Sequence, residues 1–193
     1  MNLAHYVYPS VFVLFADVQY DWGPQEVGYV LGVVGICSVI VNALLVKRAV
    51  GAWGERRTLL FGLACGTVGF TVYGLASEGW MFLAGIPVMA LWALAMPATQ
   101  ALVTRQVGAG EQGRVQGALT SLVSLAGIAG PAIYTSVFAW FISARAPVHA
   151  PGAPFLLAGA LLMVALGVAW RFARTPAGDA ATRAPAALPD GNG

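Results

Sequence analysis

The sequence predicts an all-α, polytopic membrane protein with six transmembrane helices. Of its 193 residues, 59% are hydrophobic and only 9% are charged, and the mean hydropathy is +0.75. A soluble domain normally carries charge on about a quarter of its residues. The apolar residues are also gathered into six segments, separated by short polar or Gly- and Pro-rich links, and most of the segments reach the length that a membrane-spanning helix needs. Composition and segment length together exclude a soluble globular domain.

We number the predicted spans 1 to 6 in chain order, and they cover residues about 3–20, 24–50, 58–76, 80–107, 111–144 and 155–173. Together they form a predicted six-helix half-bundle over residues 1–173. Residues 174–193 are Ala, Pro, Gly and scattered charges, which cannot bury a core. We expect this segment to be a disordered tail.

Span 1 is the weakest of the six. It holds roughly 18 residues, which make about 27 Å of helix, and it contains Pro9. A secretory signal peptide is the alternative, but the segment has neither a basic N-terminal region nor a small-residue cleavage site. We expect a transmembrane helix that lacks part of its first turn.

Glycine stripes follow three of the spans. Span 2 begins with a typical helix start, proline in the first turn followed by glutamate at Glu26. Small residues then recur at helical spacing on spans 2, 3 and 5, at Gly28, Gly32, Gly35, Gly62, Gly66, Gly69, Gly113, Gly117, Gly127 and Pro131. Small residues let membrane helices approach closely, so packing is the simpler interpretation and helix motion is the alternative. Asn42 on span 2 is interpreted as a clamp on a neighbouring helix.

Span 4 carries two prolines and a mixed face. Pro87 and Pro97 are tolerated in a membrane helix where neighbouring groups satisfy the freed carbonyls. The face of interest combines sulfur, aromatic and amide groups, at Met89, Trp92, Met96 and Gln100. Such groups suit varied apolar ligands. The face is predicted to be either ordinary core or part of a substrate cavity.

The basic residues orient the predicted bundle. One side holds nine of the ten: Lys47, Arg48, Arg56, Arg57, Arg105, Arg114, Arg171, Arg174 and Arg183. The opposite side holds only Arg145. The positive-inside rule then places both termini in the cytoplasm and Trp22, Glu78 and His149 near the outer face. We expect a multi-pass protein of the cell's inner (plasma) membrane.

The sequence offers no catalytic constellation. It has no Gly-x-Ser-x-Gly elbow, zinc-binding His-Glu-x-x-His, redox Cys-x-x-Cys or phosphate-binding Walker sequence. His5 and His149 are assigned to a terminus and a loop, and Cys37 and Cys65 lie inside apolar segments as small buried residues. The net charge of +2 is too small to indicate nucleic acid. We expect no enzyme activity, cofactor or metal, and the pattern favours transport.

The seam between spans 4 and 5 carries a specific resemblance. Residues 97–107, PATQALVTRQV, and 111–117, EQGRVQG, resemble the hairpin between helices ten and eleven of tetracycline-efflux-type exporters in the major facilitator superfamily. Arg105 closes one helix and Glu111 opens the next, as the helix dipoles favour. The turn Gly54-Glu55-Arg56-Arg57 is similar to the second, degenerate copy of that superfamily's signature loop, although Lys47, Gly51 and Ala52 replace its leading Gly and Asp-Arg pair. The Gly127–Pro131 segment is similar to the antiporter Gly-Pro pattern.

The resemblance implies that the chain is the C-terminal half, helices seven to twelve, of a twelve-helix exporter. Its partners would be the lipid bilayer, an N-terminal six-helix half (in cis, in trans or as a second copy), protons and a small lipophilic substrate. Spans 1 and 4 would line the cavity, which adds Tyr8 and Phe12 to the face on span 4, and spans 2 and 5 would meet the other half. The two turns would act as cytoplasmic gating loops, with Gly54, Glu55, Arg56, Arg57, Arg105, Glu111 and Arg114.

Two carboxylate positions bear on proton coupling. Asp17 is the only carboxylate within a predicted span. It is either an outer-interface residue or a proton-coupling residue that faces the cavity. Exporters of this type also carry an Asp in the ninth helix, where this chain has Gly66, so the wider drug-exporter group is expected rather than tetracycline transport itself. The chain is expected to be a gene fragment, a mis-called start or a half-transporter, and an inactive remnant or assembly partner is the alternative function.

Overall fold

The structure, a computed structural model, describes residues 1–106, 108 and 110–172, without the side chains of residues 105 and 106. Its α-helices are α1 Asn2–His5, α2 Val7–Tyr20, α3 Pro24–Ile40, α4 Val46–Trp53, α5 Glu55–Leu75, α6 Gly79–Ala90, α7 Ala95–Gln106, α8 Gln112–Ile142 and α9 Ala153–Phe172. A π-helical segment, Val41–Leu45, joins α3 to α4, and a 3₁₀ segment, Leu91–Leu94, joins α6 to α7. The all-α prediction is confirmed for the described residues, and the predicted tail lies outside them.

Five helical segments are long and apolar enough to cross a membrane, and they correspond to spans 2 to 6. They are Pro24–Trp53, Glu55–Leu75, Gly79–Thr104, Gln112–Ile142 and Ala153–Phe172. The count of six spans is not confirmed, because span 1 is divided into α1 and α2 on either side of Tyr6. Pro9 explains the division, since it offers no N–H to the carbonyl of His5 and its ring crowds that carbonyl. At the Tyr6 carbonyl, the backbone N–H of Ser10 makes the usual i→i−4 bond and the Ser10 hydroxyl donates as well.

Two departures from α-helical geometry contact each other. The π segment of span 2 packs against the 3₁₀ segment of span 4, and Val41 and Leu94 are buried there. Pro97 gives the 3₁₀ segment a cause, because it cannot donate to the carbonyl of Ala93. Segments of π- and 3₁₀-helix inside longer helices often occur near functional sites.

The helices alternate in direction around α5, which packs against α6, α7 and α9. At one end of α5, the Arg56 Nη2 donates to the Trp170 carbonyl at the end of α9, at 2.8 Å. At the other end, the Tyr20 hydroxyl donates to the Ala76 carbonyl at 2.8 Å. Helix α9 therefore runs antiparallel to α5, while α2 ends beside the turn between α5 and α6. This is the arrangement that successive membrane crossings require.

An aromatic cluster fills the core between α2, α5, α6 and α9. Tyr73 and Phe82 stack with ring centroids 4.0 Å apart, and Phe15 meets Phe155 edge-on at 5.0 Å. These four rings are fully buried. Offset-stacked and edge-on pairs contribute roughly 0.5–1.5 kcal/mol each beyond the burial of their area. The cluster fixes α2 against the bundle, which positions the cavity-facing side of that helix.

Candidate functional site

A cavity of about 900 Å³ lies between spans 1, 2 and 4, with α5 at its back. The residues that line it come from α1 to α7 and the two irregular segments, and none comes from α8 or α9. Its volume falls within the range of pockets that hold drug-sized ligands, about 300–1,000 Å³. All six predicted cavity residues line it: Tyr8, Phe12, Met89, Trp92, Met96 and Gln100.

Helical spacing explains why span 1 contributes an aromatic wall. His5, Tyr8 and Phe12 lie three and four residues apart, and all three line the cavity. The rings of Tyr8 and Phe12 stack with centroids 4.5 Å apart. The Tyr8 hydroxyl is buried and has no hydrogen-bond partner among the described residues. Because a buried hydroxyl without a partner is costly, Tyr8 has hydrogen-bonding capacity to offer a bound molecule.

The glycines of α5 hold the span 4 face of the cavity in place. A Cβ added to Gly66 would lie 2.8 Å from the indole of Trp92 and 2.8 Å from Leu162, and one added to Gly69 would lie 3.0 Å from Met89. Trp92 also meets Phe70 edge-on at 5.4 Å. The missing side chains at the two glycines therefore create the space in which Trp92 and Met89 sit. This span 3 stripe is close-packed.

Three polar residues of the cavity were not predicted as site residues. His5, Ser38 and Asn42 all line it. Asn42 donates through Nδ2 to the Ser38 carbonyl at 2.9 Å, within span 2, so the interpretation of Asn42 as a clamp on another helix is not supported. A helical face running Leu31, Val34, Ser38, Asn42 and Val46 lines the cavity and was readable from the sequence as a periodic pattern.

Asp17 lies outside the cavity lining. It is exposed near the end of α2, one helical turn beyond the cavity residue Val13. Its carbonyl accepts a hydrogen bond from Asp21, whose left-handed conformation ends the helix. The structure does not bring Asp17 to the cavity, and the outer-interface role stays a prediction.

The turn between spans 2 and 3 is shorter than predicted. Only Gly54 lies between α4 and α5, and its φ of 77° favours glycine. Glu55, Arg56 and Arg57 form the first turn of α5 instead of a loop. Glu55 is buried and Arg57 is exposed. Arg56, which holds the end of α9, ties the turn to the bundle, so these residues are anchored to helix ends.

The hairpin between spans 4 and 5 is exposed where the structure describes it. The Glu111 N–H donates to the Gly108 carbonyl at 2.9 Å, and Glu111 pairs with Arg114 at 3.3 Å. Both side chains of this pair are exposed, so it contributes at most about 1 kcal/mol. The side chain of Arg105 lies outside the description. Beside the hairpin, a second cavity of about 430 Å³ shares Gln100 with the first.

The predicted packing glycines divide into two groups. A Cβ added to Gly28, Gly32, Gly35, Gly113 or Gly117 would meet nothing within 4 Å. These glycines therefore do not pack against other helices among the described residues. A Cβ on Gly127 would lie 2.9 Å from the Tyr6 hydroxyl, so the segment that leads to Pro131 packs closely against span 1.

The described parts of the chain contain no group of three or more His, Cys, Asp or Glu residues arranged to hold a metal. Cys37 and Cys65 are half-buried and not bonded to each other. The cavity lining offers apolar contact, aromatic stacking and hydrogen bonding, together with the imidazole of His5.

Known proteins are similar to this chain over part of their length. The tetracycline resistance protein, class G, of Vibrio anguillarum is 35% identical over 67% of this chain and 33% of its own length. The tetracycline resistance protein, class C, of Escherichia coli is 34% identical over 72% of this chain and 35% of its own length. The Hippocampus abundant transcript 1 protein of Homo sapiens is 30% identical over 84% of this chain and 37% of its own length.

The chain thus spans about a third of the length of these curated relatives. No solved structure matches it. The family model of the Major Facilitator Superfamily matches residues 2–189, which is nearly the whole chain. Together with five helices suited to crossing a membrane, this match shows that the chain belongs to the major facilitator superfamily of membrane transporters.

Proposed function

We propose that this chain is the C-terminal six-helix half of a proton-coupled exporter of small lipophilic compounds, with both termini in the cytoplasm. The observation that carries the proposal is the cavity of about 900 Å³ in which the six predicted residues of spans 1 and 4 meet. Its lining is mostly apolar and aromatic, with a few amide, hydroxyl and imidazole groups. Such a surface suits drug-sized, lipophilic molecules that carry some hydrogen-bonding groups.

The faces that would meet the other half of the transporter give a second line of support. The exposed glycines of α3 and α8 meet nothing in this chain, yet small residues are where membrane helices pack. Alternating access also requires one six-helix body to rock against another. We therefore expect that this chain alone does not transport, and that activity requires an N-terminal half in cis, in trans or mimicked by a second copy.

The test is reconstitution into liposomes with an imposed pH gradient. Tetracycline and ethidium serve as the probes, and the chain is compared alone and joined to an N-terminal half taken from the class C tetracycline resistance protein. We expect gradient-driven uptake of at least one probe only by the joined protein. Uptake by a preparation of the chain shown to be monomeric would refute the need for a second half.

Two tryptophans give a matched control for the cavity. Trp92 lines it, whereas the side chain of Trp170 is 69% exposed near the end of α9. In the joined protein, Trp92→Ala should lower uptake and Trp170→Ala should leave it unchanged. Equal effects of the two substitutions would argue against this cavity as the transport route.

A second candidate function is favoured by the glycines of α3 and α8 that meet nothing within 4 Å, since such faces also suit a packing partner. A remnant or an assembly partner without transport of its own would show the same cavity and the same exposed faces. Absence of uptake by the joined protein, with both halves shown to be folded and associated, would favour this alternative.

A further inference from the structure

His5 lies in the cavity rather than at a free terminus. It ends α1, at the point where Pro9 interrupts span 1, and it lines the same cavity as Tyr8 and Gln100. Helix α1 packs against α8 and α9, which holds this short segment over the cavity. A side chain that can gain a proton near neutral pH is thereby placed where a substrate would bind.

The imidazole of His5 contacts the indole of Trp92. Their ring centroids are 5.6 Å apart and the planes are inclined by 47°. A cation within about 6 Å of a tryptophan ring is attracted by the ring's negative face. Trp92 has little room to withdraw, because Gly66 and Leu162 lie behind it and Phe70 lies beside it. A change of charge at His5 therefore acts directly on a fixed aromatic surface of the cavity.

We propose that His5 is the proton-binding residue of this cavity, and that its protonated and neutral forms present different surfaces to a substrate through Trp92. This inference rests on the transport function proposed for the cavity. The protonated ring places a positive charge where a cationic substrate would stack on Trp92, so the proton and such a substrate oppose each other's binding. By linkage, the effect of the proton on substrate affinity equals the effect of the substrate on proton affinity.

The groups that surround His5 leave it as the titrating side chain. The ionisable groups on α8 and α9 and around the cavity, within the described ranges, are Arg114, Tyr134, Arg171, Tyr8, Tyr73 and the amino group of Met1. Arginine and tyrosine do not change charge between pH 5 and 8 at their ordinary values. Burial lowers the pKa of the Met1 amino group below its ordinary value, so this backbone group also titrates in the interval, and the substitution at His5 separates the two. No aspartate or glutamate belongs to the described cavity lining. The imidazole is thus the side chain in this part of the chain whose charge changes over that interval.

The chain offers a matched control, because it contains only two histidines. His149 is exposed in the connection between α8 and α9, away from the cavity lining. The whole chain, purified in lipid nanodiscs with ¹³C-labelled imidazoles, is titrated between about pH 5 and 8.5 by NMR. Tryptophan fluorescence is recorded over the same range, since a protonated imidazole quenches a neighbouring indole.

We expect the imidazole signal of His5 to titrate and the fluorescence to fall at the lower pH. His5→Asn should remove one signal and the pH-dependent fluorescence together, Trp92→Phe should remove only the fluorescence change, and His149→Asn should remove only the other signal. If His5→Asn does not fold, Trp92→Phe still tests the contact by shifting the titration midpoint of His5, which Trp170→Phe should leave unchanged.

A signal from His5 that does not titrate would overturn the proposal, and so would pH-dependent fluorescence that survives in His5→Asn. The joined exporter separates this inference from the transport function. A titrating His5 in an exporter that moves no probe would refute proton-coupled export alone. A His5 that does not titrate in an exporter driven by a pH gradient would refute only the role of His5.

Discussion

Gly62→Ala tests a close approach between spans 3 and 4. Gly62 is buried on α5, and a Cβ added there would lie 2.8 Å from the backbone nitrogen of Ala95, at the start of α7. Ordinary contact begins at about 3.4 Å, so the two helices would have to separate by about 0.6 Å. A backbone atom cannot turn aside as a flexible side chain can. We therefore expect this substitution to destabilise the bundle.

The magnitude follows from two opposing terms. Overpacking a well-packed site costs typically about 1–3 kcal/mol. Replacing glycine by alanine within a helix contributes about 0.5–1 kcal/mol in the opposite direction. Gly62→Ala should therefore lower the free energy of unfolding by roughly 0.5–2 kcal/mol. Gly32→Ala, where the added Cβ would meet nothing within 4 Å, should keep only the gain. The difference between the two variants isolates the overpacking term.

The assay is chemical unfolding of the purified chain in detergent micelles, followed by far-UV circular dichroism. If Gly62→Ala and Gly32→Ala agree within about 0.5 kcal/mol, then α5 and α7 do not approach as closely as the structure has them. The same pair in the joined exporter adds a second comparison. If α3 packs against the other half there, Gly32→Ala should lose its advantage.

Three further predictions concern topology, charge and helix ends. Glu78→Cys and Gly110→Cys, each in a background without the native cysteines, should be labelled from opposite sides of the membrane, and outside labelling of the Gly110 variant alone would reverse the proposed orientation. Asp17→Asn should leave proton-driven efflux of the joined exporter undiminished, since Asp17 lies outside the cavity lining; abolished efflux would instead assign it the proton. Arg56→Ala should destabilise the bundle by about 1–2 kcal/mol through loss of its bond to the Trp170 carbonyl, whereas an unchanged unfolding curve would show that this bond contributes nothing.

The fold class was accessible from the sequence because bilayer helices are specified by long apolar runs between polar or Gly- and Pro-rich links. The cavity face of span 4 was accessible for a similar reason. Met89, Trp92, Met96 and Gln100 keep helical spacing even though a 3₁₀ segment lies among them. Local periodicity sufficed in both cases, since it does not depend on which helix is the neighbour.

His5 was missed as a site residue because its role depends on non-local packing, whereas Ser38 and Asn42 lie on a periodic face of span 2 that the sequence already contains. No local pattern near His5 predicts that α1 packs against α8 and α9. That packing brings the His5 ring to Trp92. The π segment before α4 is similarly set by its contact with the 3₁₀ segment of span 4. Asn42 faces the cavity from within that segment, where a prediction based on a regular helix is least secure.

The two groups of glycines show how one sequence pattern serves two purposes. On α5, Gly62, Gly66 and Gly69 lie directly against span 4, and a side chain added at Gly66 or Gly69 would displace a residue that lines the cavity. On α3 and in the first part of α8, the glycines at positions 28, 32, 35, 113 and 117 face open space. The cavity therefore lies between α5, which is closely packed, and span 2, which has few other contacts. A larger side chain on the α5 side of the cavity must move Trp92 or Met89. A larger side chain on the span 2 side, at Ser38, can be accommodated without displacing the core.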